Sequence, residues 1–381
     1  MPVPEIGTKK EPSTEVKQLY HKNCRLSIDF LKNILFIINI SIRLKFLVFY
    51  GIIITVKLKG TGGKMKITIL DKASLGLDTP FEILEELGEL TSYDATPSEL
   101  VVERASSADV IIINKVKITK EVLYALKGKL KLVCVFATGY DNIDIAAARE
   151  CGVAVCNVPG YSTESVALYT VTTALSLYTH LTEYRSYVKD GSYTRSGVPN
   201  KLTPVYHEMG GKTWGIIGLG NIGRAVARVA TALGASVIAY KRTPVTDYEC
   251  VSLEELCKRS DIISVHCPLT EDTKELINKE RILSMKDGVV LVNEARGAVL
   301  NERDVTDGVL NGKIGGFGCD VYSKEPFDIS HPYNEIMALD NVILTPHAAW
   351  GSYESRKRCA QIIAQNIRSF FDGNSLNRVD K

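Results

Sequence analysis

Three short motifs near the end of the chain combine residues that can do acid–base chemistry. They read NEARG at 293–297, DVYSKEP at 320–326 and TPHAAW at 345–350, and each follows a strand-like apolar run. Arg296 offers a planar, permanently charged fork that can hold a carboxylate and a carbonyl oxygen together. His347 can give or take a proton near neutral pH, and Glu325 can pair with it, fix its tautomer and favour its charged form. We therefore take Arg296, Glu325 and His347 as candidate catalytic residues.

A glycine-rich turn precedes these motifs in the chain. Residues 218–223 read GLGNIG and match G-x-G-x-x-G, between a strand-like run and a helix-like run. Gly218 can take the tight turn, Gly220 lets the backbone approach a pyrophosphate, and Gly223 lets helix and strand pack closely. The helix N-terminus then offers unpaired N–H groups to the phosphates. The turn predicts a dinucleotide cofactor, NAD or NADP.

The next strand of this unit ends at Tyr240, before the position where NAD enzymes commonly place a carboxylate for the ribose 2′-hydroxyl. Here that position is Lys241, and Arg242 follows. Two cations could instead hold a 2′-phosphate. We hypothesise that the protein accepts NADPH and can prefer it. The alternative is that both cations lie on an exposed turn and select nothing.

Strand-like and helix-like runs alternate from Met65 onward. Continuous apolar runs separated by helices are typical of parallel sheets covered on both faces. We predict an α/β protein with two doubly wound parallel-sheet domains and an active site in the cleft between them. The first, flavodoxin-like domain should span 65–163 and be completed by 348–381, and a Rossmann cofactor domain should span 164–347. A long crossover helix, capped by Thr163, should join the two.

Residues 1–64 differ in composition from the rest of the chain. They carry a net charge of +7, whereas the remainder carries −5. Their uncharged runs, 33–42 and 46–56, are each shorter than the roughly 20 apolar residues that a spanning helix needs. We expect an appendage outside the fold and no stable membrane insertion. A membrane-surface or partner-binding segment is the alternative.

The composition of the main body excludes other classes of partner. It is mildly acidic and has no basic stripe, so we expect no nucleic acid ligand. Nine cysteines without a C-x-x-C pair indicate reduced thiols in a cytoplasmic protein. The six histidines form no cluster with metal-ligand spacing, so we expect no metal site.

Further motifs add to this pattern: GYDNID at 139–144, VPGY at 158–161 and HCPLT at 266–270. Together with the three motifs above, they make residues 65–381 resemble the D-isomer-specific 2-hydroxyacid dehydrogenases, most of all the glycerate dehydrogenase/hydroxypyruvate reductase branch. The resemblance implies hydride transfer between NAD(P)H and C2 of a small 2-oxo or 2-hydroxy acid, with hydroxypyruvate or glyoxylate as the first candidates. Arg296 would hold the substrate, and His347 would protonate its ketone oxygen.

The resemblance also implies roles for other residues. Backbone N–H groups near Thr138 and Gly139 would hold the substrate carboxylate, and Asp320 would bind the nicotinamide end of the cofactor. The remaining residues implied along the cofactor are Asn221, Ile222, Cys267, Pro268, Thr273 and Ala295. A homodimer built around the crossover helix is expected as well. His266 and Cys319 are interpreted as structural.

Two positions depart from the family pattern. Leu168 stands where an acidic or amide residue is frequent. Glu294 stands where a small residue is usual, and if its side chain points inward it would disfavour an anionic substrate. The alternatives within the family are phosphoglycerate, D-lactate or phosphite dehydrogenases. An alternative of another class is an NAD(H)-binding corepressor that acts by recruiting partners, because fold alone does not settle function.

Overall fold

The computed structural model of the protein describes residues 64–76, 78–243 and 245–381. The predictions about residues 1–63 lie outside this part of the chain. Two sheets, both entirely parallel, dominate the described residues. They confirm the predicted fold class, an α/β protein with two doubly wound parallel sheets.

The first sheet has five strands in the order β2-β1-β3-β4-β5. This is the flavodoxin-like order. Continuous apolar runs put β3 and β4 at its centre, where every residue is buried. The bounds of its strands and helices are β1 Lys66–Ile69, α1 Glu82–Glu85, β2 Glu89–Ser92, α2 Val101–Ala105, β3 Val110–Ile113, α3 Lys120–Ala125, β4 Leu132–Val135, α4 Ile145–Cys151 and β5 Ala154–Cys156.

Three helices follow β5: α5 Thr163–Tyr178, α6 Leu181–Lys189 and α7 Ser192–Ser196. The crossover helix α5 begins where the sequence predicts it, but Thr163 as its cap is wrong. Ser162 is the N-cap residue, and the Thr163 hydroxyl instead donates to the carbonyl of Gly160. A hydroxyl that bonds back to the preceding turn is not accepting from the first-turn N–H groups. The segment 190–212 between α6 and β6 contains the short helix α7.

The second sheet has seven strands in the order β12-β11-β10-β9-β6-β7-β8. Six of them repeat the Rossmann strand order, and the order reverses between β6 and β9. The bounds are β6 Thr213–Ile217, α8 Asn221–Ala232, β7 Ser236–Tyr240, β8 Glu249–Cys250, α9 Leu253–Arg259, β9 Ile262–Val265, α10 Lys279–Ser284, β10 Val289–Asn293, α11 Glu302–Leu310, β11 Ile314–Cys319, β12 Val342–Leu344 and the final helix α12 Tyr353–Phe371.

Two helices fix how the sheets are covered. Helix α5 lies so close to β11 that a Cβ on Gly318 would collide with Thr173, and one on Gly316 would press on Leu177. Helix α12 returns to the first sheet and buries Ile363 and Ile367 in its core. The chain therefore ends on the sheet where the described residues begin. No helix among the described residues has the length and apolar character to cross a membrane.

The carboxyl ends of the strands carry the loops that matter for function. In the second sheet these loops follow β6, β7, β9, β10, β11 and β12, and in the first sheet they follow β3 and β4. Parallel strands expose unpaired backbone groups and helix N-termini at this edge, which is where open α/β folds bind ligands. The candidate site is built from these loops.

Candidate active site

The glycine turn after β6 has the geometry that a dinucleotide requires. Gly218 has φ +97°, and a Cβ there would collide with the backbone of Cys267. A Cβ on Gly223 would strike the carbonyl of Gly218, so helix α8 depends on glycine to pack against the turn. Gly220, by contrast, has no atom within 4 Å of its Cβ position. An open approach at the N-terminus of a 12-residue helix fits a pyrophosphate.

The other residues predicted along the cofactor lie at the same edge of the second sheet. Asn221 and Ile222 open α8, and Lys241 and Arg242 follow β7, with Lys241 half-buried and Arg242 exposed. Cys267 is buried after β9. The Thr273 hydroxyl donates to the carbonyl of Pro268 and closes the loop between them, at 2.6 Å.

Asn293 holds the loop that carries Arg296. This residue ends β10, is fully buried, and uses both ends of its amide: Oδ1 accepts from the N–H of Ala295 at 3.1 Å, and Nδ2 donates to the carbonyl of Arg296 at 2.9 Å. The guanidinium in turn donates to the Ala295 carbonyl at 2.8 Å. The backbone direction at Arg296 is thus determined by a buried amide.

Arg296 reaches from the second sheet to the loop after β4 in the first. Its Nη2 lies against Gly139, where a Cβ would collide with it, and its Nε is 3.5 Å from Oδ2 of Asp141. The Thr138 hydroxyl is used internally, donating to the Val158 carbonyl at 2.9 Å. Among the described residues, no hydrogen bond uses the N–H groups of Thr138 or Gly139. These two donors remain available to an anion beside the guanidinium.

His347 and Glu325 form a direct pair. Nδ1 of the imidazole is 2.6 Å from Oε2 of Glu325, and both side chains are about a quarter exposed, at 27% each. Burial by itself would raise the pKa of Glu325, but the hydrogen bond and charge of His347, the N–H of Tyr322 and the ammonium of Lys115 lower it to about 2. Glu325 is therefore ionised at neutral pH. Its carboxylate can accept a hydrogen bond from the imidazole N–H.

Two acidic residues, the buried Asp320 and the partly buried Glu302, position the loops that carry this pair. Asp320 accepts from the Thr345 hydroxyl and from the N–H groups of Ala348 and Ala349, so it holds the backbone on both sides of His347. His347 itself has φ +54°, which a non-glycine residue adopts only when its surroundings impose it. Glu302 accepts from Ser323 and lies 2.9 Å from the ring of His331, anchoring the Glu325 loop.

The loops that receive Arg296 and His347 are bonded to each other. Lys115, in the loop after β3, lies 3.1 Å from Nδ1 of His347. The Asn142 amide, in the loop that contains Asp141, donates to the carbonyls of Asn114 and Val116 at 3.2 and 2.8 Å. Both side chains of the second sheet therefore approach one continuous rim of the first sheet. Glu325, through its bond to His347, lies at the same rim.

Glu294 departs from the family pattern, and the structure shows where it lies. It follows Asn293, the partner of Cys319 across β10 and β11, so Glu294 and Asp320 are neighbours at the sheet edge. Glu294 is 8% exposed, and neither carboxyl oxygen has a hydrogen-bond partner among the described residues. Burial, and secondarily the charge of Asp320, raises its pKa to about 9. The side chain does point inward, but as a neutral acid it does not repel an anionic substrate.

His266 and Cys319 also lie in buried surroundings. Neither ring nitrogen of His266 has a hydrogen-bond partner among the described residues, and burial lowers its pKa to about 3. The ring is neutral and packs beside the glycine turn. Cys319 is buried, and burial raises its pKa well above the usual range. No group of acidic, cysteine or histidine residues in the described chain could hold a metal ion.

Three residues near the site were not singled out by motif reasoning: Lys115, Asp71 and Glu302. Lys115 follows a buried strand, so the rule that places ligands at carboxyl ends could have found it. Asp71 and Glu302 act on the backbone of distant loops. No local pattern marks such contacts.

Comparison with known proteins places the chain among enzymes. The D-isomer specific 2-hydroxyacid dehydrogenase NAD-binding domain matches residues 171–349. The hydroxypyruvate reductase of Blautia hydrogenotrophica is 37% identical over 328 residues, which cover 83% of this chain and all of that protein. The glycerate dehydrogenase of Methylorubrum extorquens is 34% identical over 316 residues, covering 83% of this chain and 99% of that protein.

A solved structure agrees with these likenesses. The D-lactate dehydrogenase from Aquifex aeolicus, complexed with NAD and lactic acid, superposes with a TM-score of 0.71 at 30% identity, over 83% of this chain and 99% of that one. Fold, glycine turn and relatives together define an NAD(P)-dependent oxidoreductase. The chain belongs to the D-isomer-specific 2-hydroxyacid dehydrogenase family. The resemblance seen in its motifs is confirmed.

The buried acid makes stability depend on pH. Because the Glu294 pKa is about 9 in the folded protein against an ordinary 4.5, the folded state binds one proton more between these values. The contribution of Glu294 to the free energy of unfolding is fully present below pH 4.5 and is lost as the pH rises towards 9. The Glu294→Gln variant cannot ionise at this position. The difference between its free energy of unfolding and that of the wild type should therefore grow by up to ~1.4 kcal/mol per pH unit across this window.

Urea unfolding of both proteins at pH 5, 7 and 8.5 measures this difference. Groups other than Glu294 titrate alike in the two proteins and cancel. Exposed Glu271, changed to Gln, is the control for loss of a carboxylate. A difference between Glu294→Gln and wild type that stays constant over pH would contradict a buried neutral acid.

Proposed function

We propose that the protein reduces hydroxypyruvate or glyoxylate to D-glycerate or glycolate with NAD(P)H, through Arg296, Glu325 and His347. One observation supports this most: the Glu325–His347 pair and Arg296 leave adjacent loops of one sheet and meet one rim of the other. The names of the relatives agree with it, because hydroxypyruvate reductases and a glycerate dehydrogenase are among them.

The residues fit the chemistry of a 2-oxo acid. Arg296, with the N–H groups of Thr138 and Gly139, would bind the carboxylate and orient the ketone. When bound, the nicotinamide cofactor would supply the hydride to C2 or accept it from C2. As negative charge develops on the ketone oxygen, protonated His347 donates to it from Nε2, while Glu325 holds Nδ1. In oxidation the neutral imidazole takes the same proton back.

The cofactor would lie along the edge of the second sheet. The glycine turn, with Gly218, Gly220 and Gly223, would receive the pyrophosphate together with the first N–H groups of α8, at Asn221 and Ile222. The remaining residues proposed along the cofactor are Lys241, Arg242, Cys267, Pro268, Thr273, Ala295 and Asp320. Asp320 already accepts three hydrogen bonds from the protein, so only its free lone pair could serve the nicotinamide end.

Removing the acid or the anion binder should separate their roles. His347→Ala should lower kcat by roughly 10²–10⁴-fold, because the developing oxyanion loses its proton donor. Arg296→Ala should lower kcat/KM at least as severely, with a raised KM for the 2-oxo acid. Initial rates at 340 nm with hydroxypyruvate, glyoxylate, pyruvate and 3-phosphohydroxypyruvate, each with NADH and NADPH, measure both effects and select among the family alternatives.

Two matched variants control this experiment. His207→Ala removes an exposed imidazole outside the site, and Arg296→Lys keeps the charge but not the planar fork. Near-normal kinetics in His347→Ala would remove it from the mechanism. If the wild type turned over none of these acids yet bound dinucleotide, the corepressor-like alternative would be favoured.

Lys241 should influence the choice between cofactors. A 2′-phosphate gains a charge-assisted hydrogen bond there, of about 1.5–3 kcal/mol, which corresponds to roughly ten- to a hundredfold in affinity. In Lys241→Asp, kcat/KM for NADPH relative to NADH should fall by about that factor. Lys279→Asp, at an exposed position on α10, is the control. A clear NADH preference that Lys241→Asp leaves unchanged would show that the cation selects nothing.

We also propose a homodimer built around α5 and α6. Exposed apolar side chains are concentrated here and in the segment that follows; they are Leu168, Leu181, Val188, Val198, Leu202, Val205 and Tyr206. Exposed apolar side chains that come together on one surface mark interfaces, and we propose that these side chains form such a surface. Leu168, the second departure from the family pattern, is 69% exposed and would lie in this surface.

Sedimentation equilibrium should give twice the 41.9 kDa chain mass for the wild type. Leu168→Glu combined with Val188→Glu should shift it to the monomer, because two buried charges would oppose association. Leu283→Glu, at an exposed leucine on α10, should leave the mass unchanged. A monomeric wild type at tens of micromolar would exclude the dimer.

We place the protein in the cytoplasm. The eight cysteines that the structure describes are all free thiols, and six of them are buried. Unpaired thiols of this kind fit a reducing compartment.

A further inference from the structure

Lys115 extends from the first sheet to the Glu325–His347 pair of the second. Its Nζ is 3.1 Å from Nδ1 of His347 and 3.5 Å from Oε2 of Glu325. Lys115 is 210 positions from Glu325 and 232 positions from His347 in sequence, so only the tertiary structure brings it to them. No family motif identified in the sequence contains this lysine.

The backbone at Lys115 is fixed by a buried carboxylate. Asp71, 5% exposed, accepts from three consecutive N–H groups, those of Asn114, Lys115 and Val116, at 2.6–3.1 Å. The Asn142 amide holds the carbonyls on either side of Lys115. These N–H groups and carbonyls are all hydrogen-bonded, so the backbone that carries the Lys115 side chain has a fixed conformation.

The position of the ammonium has a definite electrostatic consequence. Nδ1 of an imidazole carries either one hydrogen or one lone pair, so it can donate to Glu325 or accept from Lys115, but not both. When His347 is protonated, the ammonium repels the imidazolium and can be bonded only to Glu325. When His347 is neutral, Lys115 still compensates the charge of Glu325. The ammonium therefore favours the state after proton donation.

Other charged groups near His347 are already engaged. Asp320 is occupied by the Thr345 hydroxyl and two backbone N–H groups, and the Tyr322 hydroxyl donates to the Thr345 carbonyl. Arg296 lies against Gly139 and Asp141. At Nδ1, the charged groups in contact among the described residues are Glu325 and Lys115 alone.

We propose that Lys115 is a positioning residue that holds Glu325 across the cleft and makes the His347 imidazolium a stronger acid. This inference rests on the proposed function, since it assigns His347 the proton transfer. Lys115 acts through Glu325 and His347, with the donated proton leaving Nε2 for the ketone oxygen. When the imidazole becomes neutral in this step, the Lys115 ammonium still compensates the negative charge of Glu325.

The first test is the titration of His347 in the cofactor-free protein. Nitrogen-15 NMR of histidine-labelled wild type, with the His347 signals assigned from His347→Ala, gives its protonation midpoint. In Lys115→Met the midpoint should move to higher pH by ~0.5–1 unit, the Coulomb effect of one half-exposed charge that lies 3.1 Å from Nδ1. Lys115→Arg should stay close to the wild type, and so should Lys117→Met, which removes an exposed lysine two residues along.

The second test is the pH profile of reduction. The limb of kcat/KM that reports loss of the acid's proton should move by the same amount in Lys115→Met. The kcat plateau should fall only two- to threefold, because a weaker acid donates more slowly. A merely structural role would lower the plateau and leave the limb in place. Thermal unfolding checks that each variant is folded.

The outcomes are distinguishable. If the NMR midpoint of Lys115→Met coincides with the wild type, or Lys115→Arg shifts as far as Lys115→Met, the proposal is overturned. If the wild type reduces no 2-oxo acid, the proposed function fails, but the NMR titration still decides whether the ammonium acts on the imidazole. A shifted midpoint together with a shifted limb supports both.

Discussion

The hydrogen bond between Glu325 and His347 is the interaction on which the rest of the site depends. A carboxylate that is largely removed from water is costly unless it is paired, and here the pair also orients an imidazole. Because the two residues come from loops after different strands, their 2.6 Å contact requires β11 and β12 to be adjacent and both loops to be held. The parallel sheet supplies the first condition. Buried anchors supply the second.

These anchors are polar groups whose hydrogen bonds are satisfied inside the protein. Asn293 holds the Arg296 loop, Asp320 holds the backbone around His347, and Asp71 holds the loop of Lys115. Each is buried and bonded to backbone rather than to solvent, so it specifies one loop conformation. Glu294 is different, since its buried carboxyl has no partner among the described residues and is neutral instead.

Apolar runs in the sequence coincide closely with the strands at the centre of each sheet and poorly with the strands at the edges. The fully buried strands β3, β4 and β10 were evident as continuous apolar runs, because both faces of a central parallel strand are covered. The edge strands β2 and β8 have no such run. They are short and largely exposed, so no apolar run marks them. Thr163 was misplaced by one residue because Ser162 and Thr163 can both cap, and only the backbone decides between them.

The sequence by itself determined the fold class and the glycine turn and indicated Arg296, Glu325 and His347 as candidate catalytic residues, because residue type, period and local spacing encode these features. Tertiary structure alone decided which groups surround them. The inward, neutral Glu294, the buried Asp71 under a distant loop and the approach of Lys115 from the other sheet depend on residues far apart in the chain. Their contacts arise only when the two sheets fold and meet, and no local pattern carries that information.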